Sequence, residues 1–327
     1  MPTLEDIRCR QGPQAIWYVN VAFGVIAFLS NICFLAVMLR EKPMKRTQKL
    51  VAAYAVACAT SGAGFAAAFT RRILLHCKDM EYTPIECMYR TPHLTLYAVG
   101  EAFTTFCVFF MSVDRLVAII YSSRMHQWKK YLTNRLLFIA IALTVADVLW
   151  AWISAWNKGK ELIPAYCYRV KVVSNAYYLT HFVCCGVFGY ITLITYCIAL
   201  AMLKKMRSTS RGIRSIQLKR EATISKRIMI IVFFTFLLQS VPTTLRLYAL
   251  FTWHLFFVPD HLWSVHCVNL SIYAVYSIVT NLQIWHCISK VKIFSKLPKP
   301  KLLSHVSFPM RMLTNKKGTQ ITSRGNF

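Results

Sequence analysis

The chain has 327 residues, 56% of them hydrophobic, with 39 Lys and Arg against 12 Asp and Glu and a formal net charge of +27. The apolar residues gather in long blocks instead of the spread, periodic pattern of a water-soluble domain, which excludes an ordinary soluble fold. The basic residues are dispersed over the segments between the blocks, which suits anionic inner-leaflet lipid and argues against a nucleic-acid-binding surface.

Seven blocks, 15–39, 50–70, 94–120, 136–156, 179–203, 228–250 and 265–288, are long and apolar enough to read as membrane-spanning helices. The expected fold is an all-α membrane protein: an outer N-terminus over 1–14, a seven-helix bundle over 15–288, and an amphipathic juxtamembrane helix with a cytoplasmic tail over 289–327. The first 14 residues mix Glu5 and Asp6 with Arg8 and Arg10, and the first block is too long for a signal-peptide core. That block is expected to act as its own insertion signal. Of the 39 Lys and Arg, 28 fall in 40–49, 115–135, 204–227 and 289–327. Positive charge concentrates on the cytoplasmic side, so these segments are expected inside, with the N-terminus outside and the C-terminus inside.

The second span is rich in Ala and Gly. The third carries a polar stripe: Tyr97 and Arg115 are 18 residues apart, five turns at 3.6 residues each, and Glu101, Thr104, Val108 and Ser112 fall near the same line. Charges inside a bilayer are costly and usually mark function. Arg115 alone reads as a snorkelling anchor. Asp114 beside it points instead to a local ion pair that holds Arg115 until a partner competes for it. Glu101 is expected either to be neutral or paired with a Lys or Arg of a neighbouring helix, or to meet a ligand. The fourth span carries Asp147, and the fifth His181, Cys185, Thr192 and Tyr196.

The basic segment 204–227 reads as helical extensions of its flanking spans, serving as a lipid collar or a docking surface. In the sixth span Pro242 removes a backbone hydrogen bond and should kink the helix, giving a hinge. Arg246, near its outer end, has three readings: snorkelling, pairing with Glu101, or meeting an acidic ligand group. The seventh span carries Asn269, Tyr273, Tyr276, Thr280 and Asn281, residues that often bond neighbouring helices. Residues 290–297 alternate Lys with Val291, Phe294 and Leu297, which suits a short helix on the inner leaflet.

Cys33, Cys58, Cys107 and Cys197 lie inside spans and are expected to be buried apolar residues. Cys9, Cys77, Cys87 and Cys167 lie in outer segments, where a disulfide is favoured but its pairing stays open. The nine histidines show no metal-ligand spacing on a span, so no metal or cofactor is expected. The seventh span lacks a Lys for a Schiff base, which disfavours a retinal pigment.

Ser112-Val113-Asp114-Arg115-Leu116-Val117-Ala118-Ile119 resembles the Asp-Arg-Tyr region of the rhodopsin-like (class A) G-protein-coupled receptors, with Leu116 in the Tyr place. Ser30-Asn31 resembles their first-span Gly-Asn pair, Trp150 the fourth-span Trp, Tyr196 the fifth-span inner Tyr and Pro242 the sixth-span proline. Asn281-Leu282-Gln283-Ile284-Trp285 resembles Asn-Pro-x-x-Tyr, with Leu282 and Trp285 replacing Pro and Tyr. The resemblance covers 15 to about 297. The second span lacks the family's Asp, the sixth lacks the Trp before its proline, and the fifth lacks its proline. Such drift is similar to that of the nematode chemosensory serpentine receptors.

The resemblance implies a multi-pass plasma-membrane receptor, not an enzyme. Its partners would be an extracellular small-molecule or peptide ligand, a heterotrimeric G protein and the lipid bilayer, with no nucleic acid. It implies a Cys87–Cys167 disulfide. It places Asp114, Arg115, Tyr196, Asn281 and Trp285 at G-protein coupling, and Tyr97, Glu101, His181, Arg246 and Tyr273 near the ligand. Tyr97 stands where amine receptors carry an acid, which argues against a biogenic-amine ligand. The competing reading is a seven-span transporter or channel using Glu101, Asp147 and Arg246 as a charge pathway, although no inverted repeat is visible.

Overall fold

The computed structural model describes residues 15–40, 46–75, 80–120, 126–209, 213–253 and 260–280. Nearly all of these are helical: α1 Ala15–Arg40, α2 Arg46–Leu74, α3 Pro84–Arg90, α4 Pro92–Ile120, α5 His126–Asn157, α6 Arg169–Val172, α7 Asn175–Thr209, α8 Ile213–Thr235, α9 Val241–Trp253 and α10 Asp260–Thr280. A π-helical segment, Phe236–Ser240, joins α8 to α9. Two short strands, β1 Glu81–Tyr82 and β2 Ile163–Pro164, pair antiparallel with Glu81 opposite Pro164.

Among the described residues, six stretches are long and apolar enough to cross a membrane: Ala15–Arg40, Gln48–Leu74, Pro92–Ile120, Tyr131–Asn157, Asn175–Ser208 and Ile224–Leu245. The described part of the seventh expected span, α10, contributes the shorter apolar helix Val265–Val279. Several helices overrun the apolar blocks. α2 runs four residues past residue 70 at its C-terminal end, and α7 reaches Thr209. Helical hydrogen bonding continues into the polar flanks, where Arg71, Arg72 and Arg207 occupy the last turns and favour the helix C-terminal dipole. The segment 204–227 is accordingly helical at both ends, as expected.

Burial is inverted relative to a soluble protein. Phe138, Leu149, Ile153 and Ile194 are exposed on α5 and α7, whereas Asn31, Glu101, Asp114 and His181 are buried. In a bilayer the outer surface is as apolar as the core, so polar groups retreat into the bundle and bond one another. Helix α4 is the central element, packing against α2, α5, α7 and α8. Every member of its expected stripe, Tyr97, Glu101, Thr104, Val108, Ser112 and Arg115, is buried. Of the span cysteines, Cys58 and Cys107 are buried as expected, but Cys33 and Cys197 are exposed on the outer surface. A thiol is compatible with either apolar environment, lipid or protein, so residue type alone does not separate them.

Small residues bring helix backbones together. A Cβ placed on Gly62 would lie 2.8 Å from the Gly24 carbonyl oxygen and 2.8 Å from the Phe28 nitrogen. Both obstacles are backbone of α1, so no side chain can rotate away. Gly62→Ala is expected to force α1 and α2 apart at a cost of about 1–3 kcal/mol. Purified protein should show a lower thermal midpoint, and an unchanged midpoint would exclude so tight an α1–α2 seam. Two turns along α1 from Gly24, Asn31 Nδ2 donates to the carbonyls of Ala27 and Leu270, each at 2.8 Å, tying α1 to α10.

At the end of the bundle where β1 and β2 pair, α3 starts with a reciprocal cap. The Glu86 backbone N–H donates to Thr83 Oγ1, while the Thr83 backbone N–H donates to Glu86 Oε2. Pro84 occupies the first turn, where its missing N–H costs nothing. The Thr83 backbone N–H, followed by its hydroxyl, holds the Glu86 carboxyl below the usual carboxylate range. That contribution is present above the unfolded carboxyl pKa and is lost as pH falls through the folded one.

Pro242 is the second residue of α9, directly after the π turn. Its ring denies the backbone a donor and clashes with the carbonyl four residues earlier. The wider turn over Phe236–Ser240 accommodates that conflict. Where a kink is expected at Pro242, the helix carries a π turn on the proline's N-terminal side.

Candidate functional site

Two buried polar clusters lie toward the two ends of α4. The first is built on Glu101. Its Oε2 accepts from Arg169 Nη1 at 2.5 Å and lies 3.2 Å from His181 Nε2. His181 Nδ1 lies 2.9 Å from Asp147 Oδ1, and the Tyr177 hydroxyl donates to Asp147 Oδ2 at 3.1 Å. Arg169 Nη2 donates to the Tyr177 oxygen at 3.1 Å, closing the network. The five residues come from α4, α5, α6 and α7.

Of the expected readings of Glu101, the ion pair is the one formed. Its guanidinium comes from α6, in the segment between α5 and α7, and not from a spanning helix. Burial works against the charge on Arg169, but the neighbouring oxygens of Tyr177, Glu101 and Asp147 outweigh it and raise its pKa. The position of Arg169 follows from the disulfide. Cys87 is bonded to Cys167, two residues before Arg169, with Cα atoms 5.7 Å apart. Cys167 has a left-handed φ of 50°, and its N–H donates to the Pro164 carbonyl at 3.0 Å, which turns the chain back toward the bundle.

Beneath this segment, Cys87, Met88, Leu94, Ile163, Val172 and Tyr177 form an apolar cluster. Arg71 Nε donates to the Ala165 carbonyl at 3.0 Å, fastening the segment to α2. Replacing Cys87 and Cys167 together by Ser is expected to cost about 2–4 kcal/mol, since the bridge closes a loop across 80 residues of sequence. A thermal midpoint insensitive to both the substitution and reducing agent would remove that role.

The second cluster is the Asp114–Arg115 pair. Arg115 Nη2 donates to Asp114 Oδ2 at 2.5 Å, and Thr133 Oγ1 of α5 donates to Asp114 Oδ1 at 2.9 Å. Both charged residues are almost wholly buried, at 1% and 3% exposure. Close by in the bundle, the Tyr196 hydroxyl of α7 donates to the Ser225 carbonyl of α8. Ile119, Ala199, Leu203 and Leu218 pack α4, α7 and α8 together there.

Beside the first cluster lies a small cavity of about 20 Å³, lined by Glu101, Phe182, Cys185, Gln239, Thr243 and His266 among others. It has room for one or two waters and is far below the few hundred Å³ of a typical ligand pocket. Of the residues expected near a ligand, Glu101 lines this cavity and His181 is bonded to it. Tyr97 packs its ring against Phe65 with centroids 4.7 Å apart. Tyr273 stands edge-on to Phe34 and Tyr54 in the α1–α2 seam. Arg246 is on α9, but its side chain lies outside the described residues, as do Asn281 and Trp285.

Two residues of this site are not expected from the sequence. Arg169 is signalled only by its place two residues after Cys167. Tyr177 carries no signal beyond its type. Asp147 is grouped with Glu101 in the transporter reading, without its His181 partner. Among the described residues no cluster of His, Cys, Asp and Glu could hold a metal ion. The chain matches no protein-family model and no curated protein.

Proposed function

We propose that this chain is a seven-span, plasma-membrane G-protein-coupled receptor, chemosensory in role, with its N-terminus outside. In this reading the Glu101 end of α4 faces outward, where an oxidising space suits the Cys87–Cys167 bond. The Asp114–Arg115 end faces the cytoplasm. An external ligand settles among α4, α7, α9 and α10, favours outward movement of α8 about the π turn, and opens a cleft in which Arg115 meets the G protein. The ligand must bind the open arrangement better than the closed one, or no population shifts. The chain catalyses no reaction.

The observation that carries this reading is the buried Asp114–Arg115 pair, braced by Thr133. An anchor facing lipid headgroups would be solvated. A buried pair of adjacent charges is instead poised for release, because a competing partner can take Arg115 while Asp114 keeps a donor. Glu101 and Asp114 are separated by roughly 20 Å along one rigid helix at about 1.5 Å per residue. One element therefore touches both sites. Glu101 and Asp147 sit at one depth, bridged by His181, which speaks against a charge pathway running across the membrane.

The test is expression of the full chain in cells carrying promiscuous G-protein reporters, challenged with volatile, lipid and peptide extracts. Tracer flux is measured on the same cells. An extract-dependent reporter signal without flux supports the receptor. Flux from surface-expressed protein that stays silent to every extract would replace it with the transporter.

A further inference from the structure

At the end of the bundle that carries the disulfide, two guanidiniums are held by an aromatic ring and not by acids. Tyr82 is placed there by the strand pair, opposite Ile163. The Cζ of Arg71, in the last turn of α2, lies 5.7 Å from the centre of its ring, and the Cζ of Arg90, in the last turn of α3, lies 4.9 Å from it. The two cations are therefore within about 11 Å of each other, where like charges repel. Next along α2, Arg72 adds a third, its Cζ 4.3 Å from the Phe69 ring and 4.7 Å from the Tyr168 ring.

Neither Arg71 nor Arg90 forms an ion pair among the described residues. The Glu86 carboxylate is engaged by the backbone N–H and the hydroxyl of Thr83. Glu81 precedes Tyr82 in β1, so the two side chains leave opposite faces of the strand pair. Segments 71–93 and 157–178 together hold eight Lys and Arg against four Asp and Glu. Arg71 is also held ready. Its Nε donates to the Ala165 carbonyl at 3.0 Å, and a guanidinium has five N–H groups in one plane. The ring contact orients that plane without using an N–H. The Nη edge of Arg71 and the whole fork of the exposed Arg90 are left for an acceptor.

We infer that Arg71 and Arg90, with Tyr82 between them, bind the phosphate or sulfate monoester group of a small soluble ligand. One guanidinium fork already fills the two oxygens of a carboxylate. A tetrahedral monoester has three acceptor oxygens, enough for the Nη edge of Arg71 and the fork of Arg90 together. None of these three residues lines the cavity beside Glu101, so the site is separate from it. The inference names a ligand class for the proposed receptor. It rests on that reading for the consequence of binding and not for the binding itself.

The test uses purified full-length protein in phosphatidylcholine vesicles, with the unfolding temperature as readout. Phenyl phosphate, benzoate and phenol are the probes, at constant ionic strength. Phenyl phosphate should raise the unfolding temperature saturably, with half-effect on the order of 1 mM for so few non-hydrogen atoms. Benzoate should act at least ~10-fold more weakly, and phenol should not act. Arg90→Gln should weaken the phenyl phosphate effect at least ~10-fold, as expected for loss of a hydrogen bond to a charged group. Arg90 is exposed, so this variant leaves the packing intact. Lys160→Gln removes the same charge from the exposed α5–β2 connection and should leave the effect unchanged.

Equal shifts with phenyl phosphate and benzoate would overturn the inference, and so would no shift at all. Equal losses in Arg90→Gln and Lys160→Gln would also overturn it, since a diffuse positive field would then account for the binding. Phosphatidic acid added to the vesicles should leave the effect in place. Its abolition by that lipid would give the arginines to a membrane headgroup and remove the soluble ligand. Saturable phenyl phosphate binding with no G-protein signal would keep this site and remove the receptor reading. A signal from an uncharged ligand, with no phenyl phosphate binding, would do the reverse.

Discussion

Arg115→Ala is expected to bring reporter signal to background while most of the protein still reaches the cell surface. Arg115 is buried against Asp114, and Thr133 donates to the other oxygen of the same carboxylate. Removing the guanidinium deletes the one cation of that cluster that a docking protein could engage. The stranded Asp114 keeps the Thr133 bond and can take up a proton, which limits the folding penalty relative to a fully uncompensated charge. Signal should fall at least ~100-fold, the scale for losing a charge-assisted contact of about 3 kcal/mol. Arg115→Lys keeps the charge but loses the planar fork, and should retain a fraction of the signal. Full signal from Arg115→Ala at normal surface level would remove Arg115 from coupling. Surface level is read with the same epitope tag in each variant.

The second large effect concerns Arg169. It bonds both Glu101 and Tyr177 and is the guanidinium of the Glu101 network. Arg169→Met keeps the apolar stem and deletes the charge. Breaking a buried ion pair from one side typically costs about 3–5 kcal/mol, because the partner charge stays behind. A drop in thermal midpoint of about 4–7 °C follows from an unfolding entropy of about 2.1 cal/mol/K per residue over the 327 residues. Adding Glu101→Gln removes the stranded carboxylate, so the double variant should recover part of the loss. A double variant no more stable than the worse single one would show that the two residues are not energetically paired.

Much of the bundle was legible because a bilayer imposes long apolar blocks and leaves polar residues few and meaningful. The α4 stripe could be drawn from spacing alone, and all six of its members are buried. Pro242 announced an irregular turn because a ring without an N–H must disturb its helix, although whether the result is a bend or a π turn depends on packing. The Glu101 network was not legible. Arg169 reaches Glu101 only because a disulfide and a two-residue strand pair fold its segment inward. No periodicity in residues 157–178 encodes that. Nor does sequence say which apolar residues face lipid, since lipid and protein interiors favour the same types. Cys33 and Cys197 illustrate this, exposed where burial was expected. The Cys87–Cys167 pairing came from family likeness, whereas the residues themselves left four cysteines open.

The π turn has a consequence for how this helix tolerates insertions and deletions. A π turn holds one residue more than the α turn it replaces, so Phe236–Ser240 carries a surplus residue between α8 and α9. Elsewhere in a membrane helix, losing one codon rotates everything beyond it by about 100° and turns a lipid-facing side inward. Within this pentapeptide the same loss would contract the π turn to an α turn and leave both flanks facing as before, at the cost of restoring the Pro242 conflict that the wider turn absorbs. The segment is therefore a place where the gene can change length by three nucleotides without scrambling which side of the helix meets its neighbours.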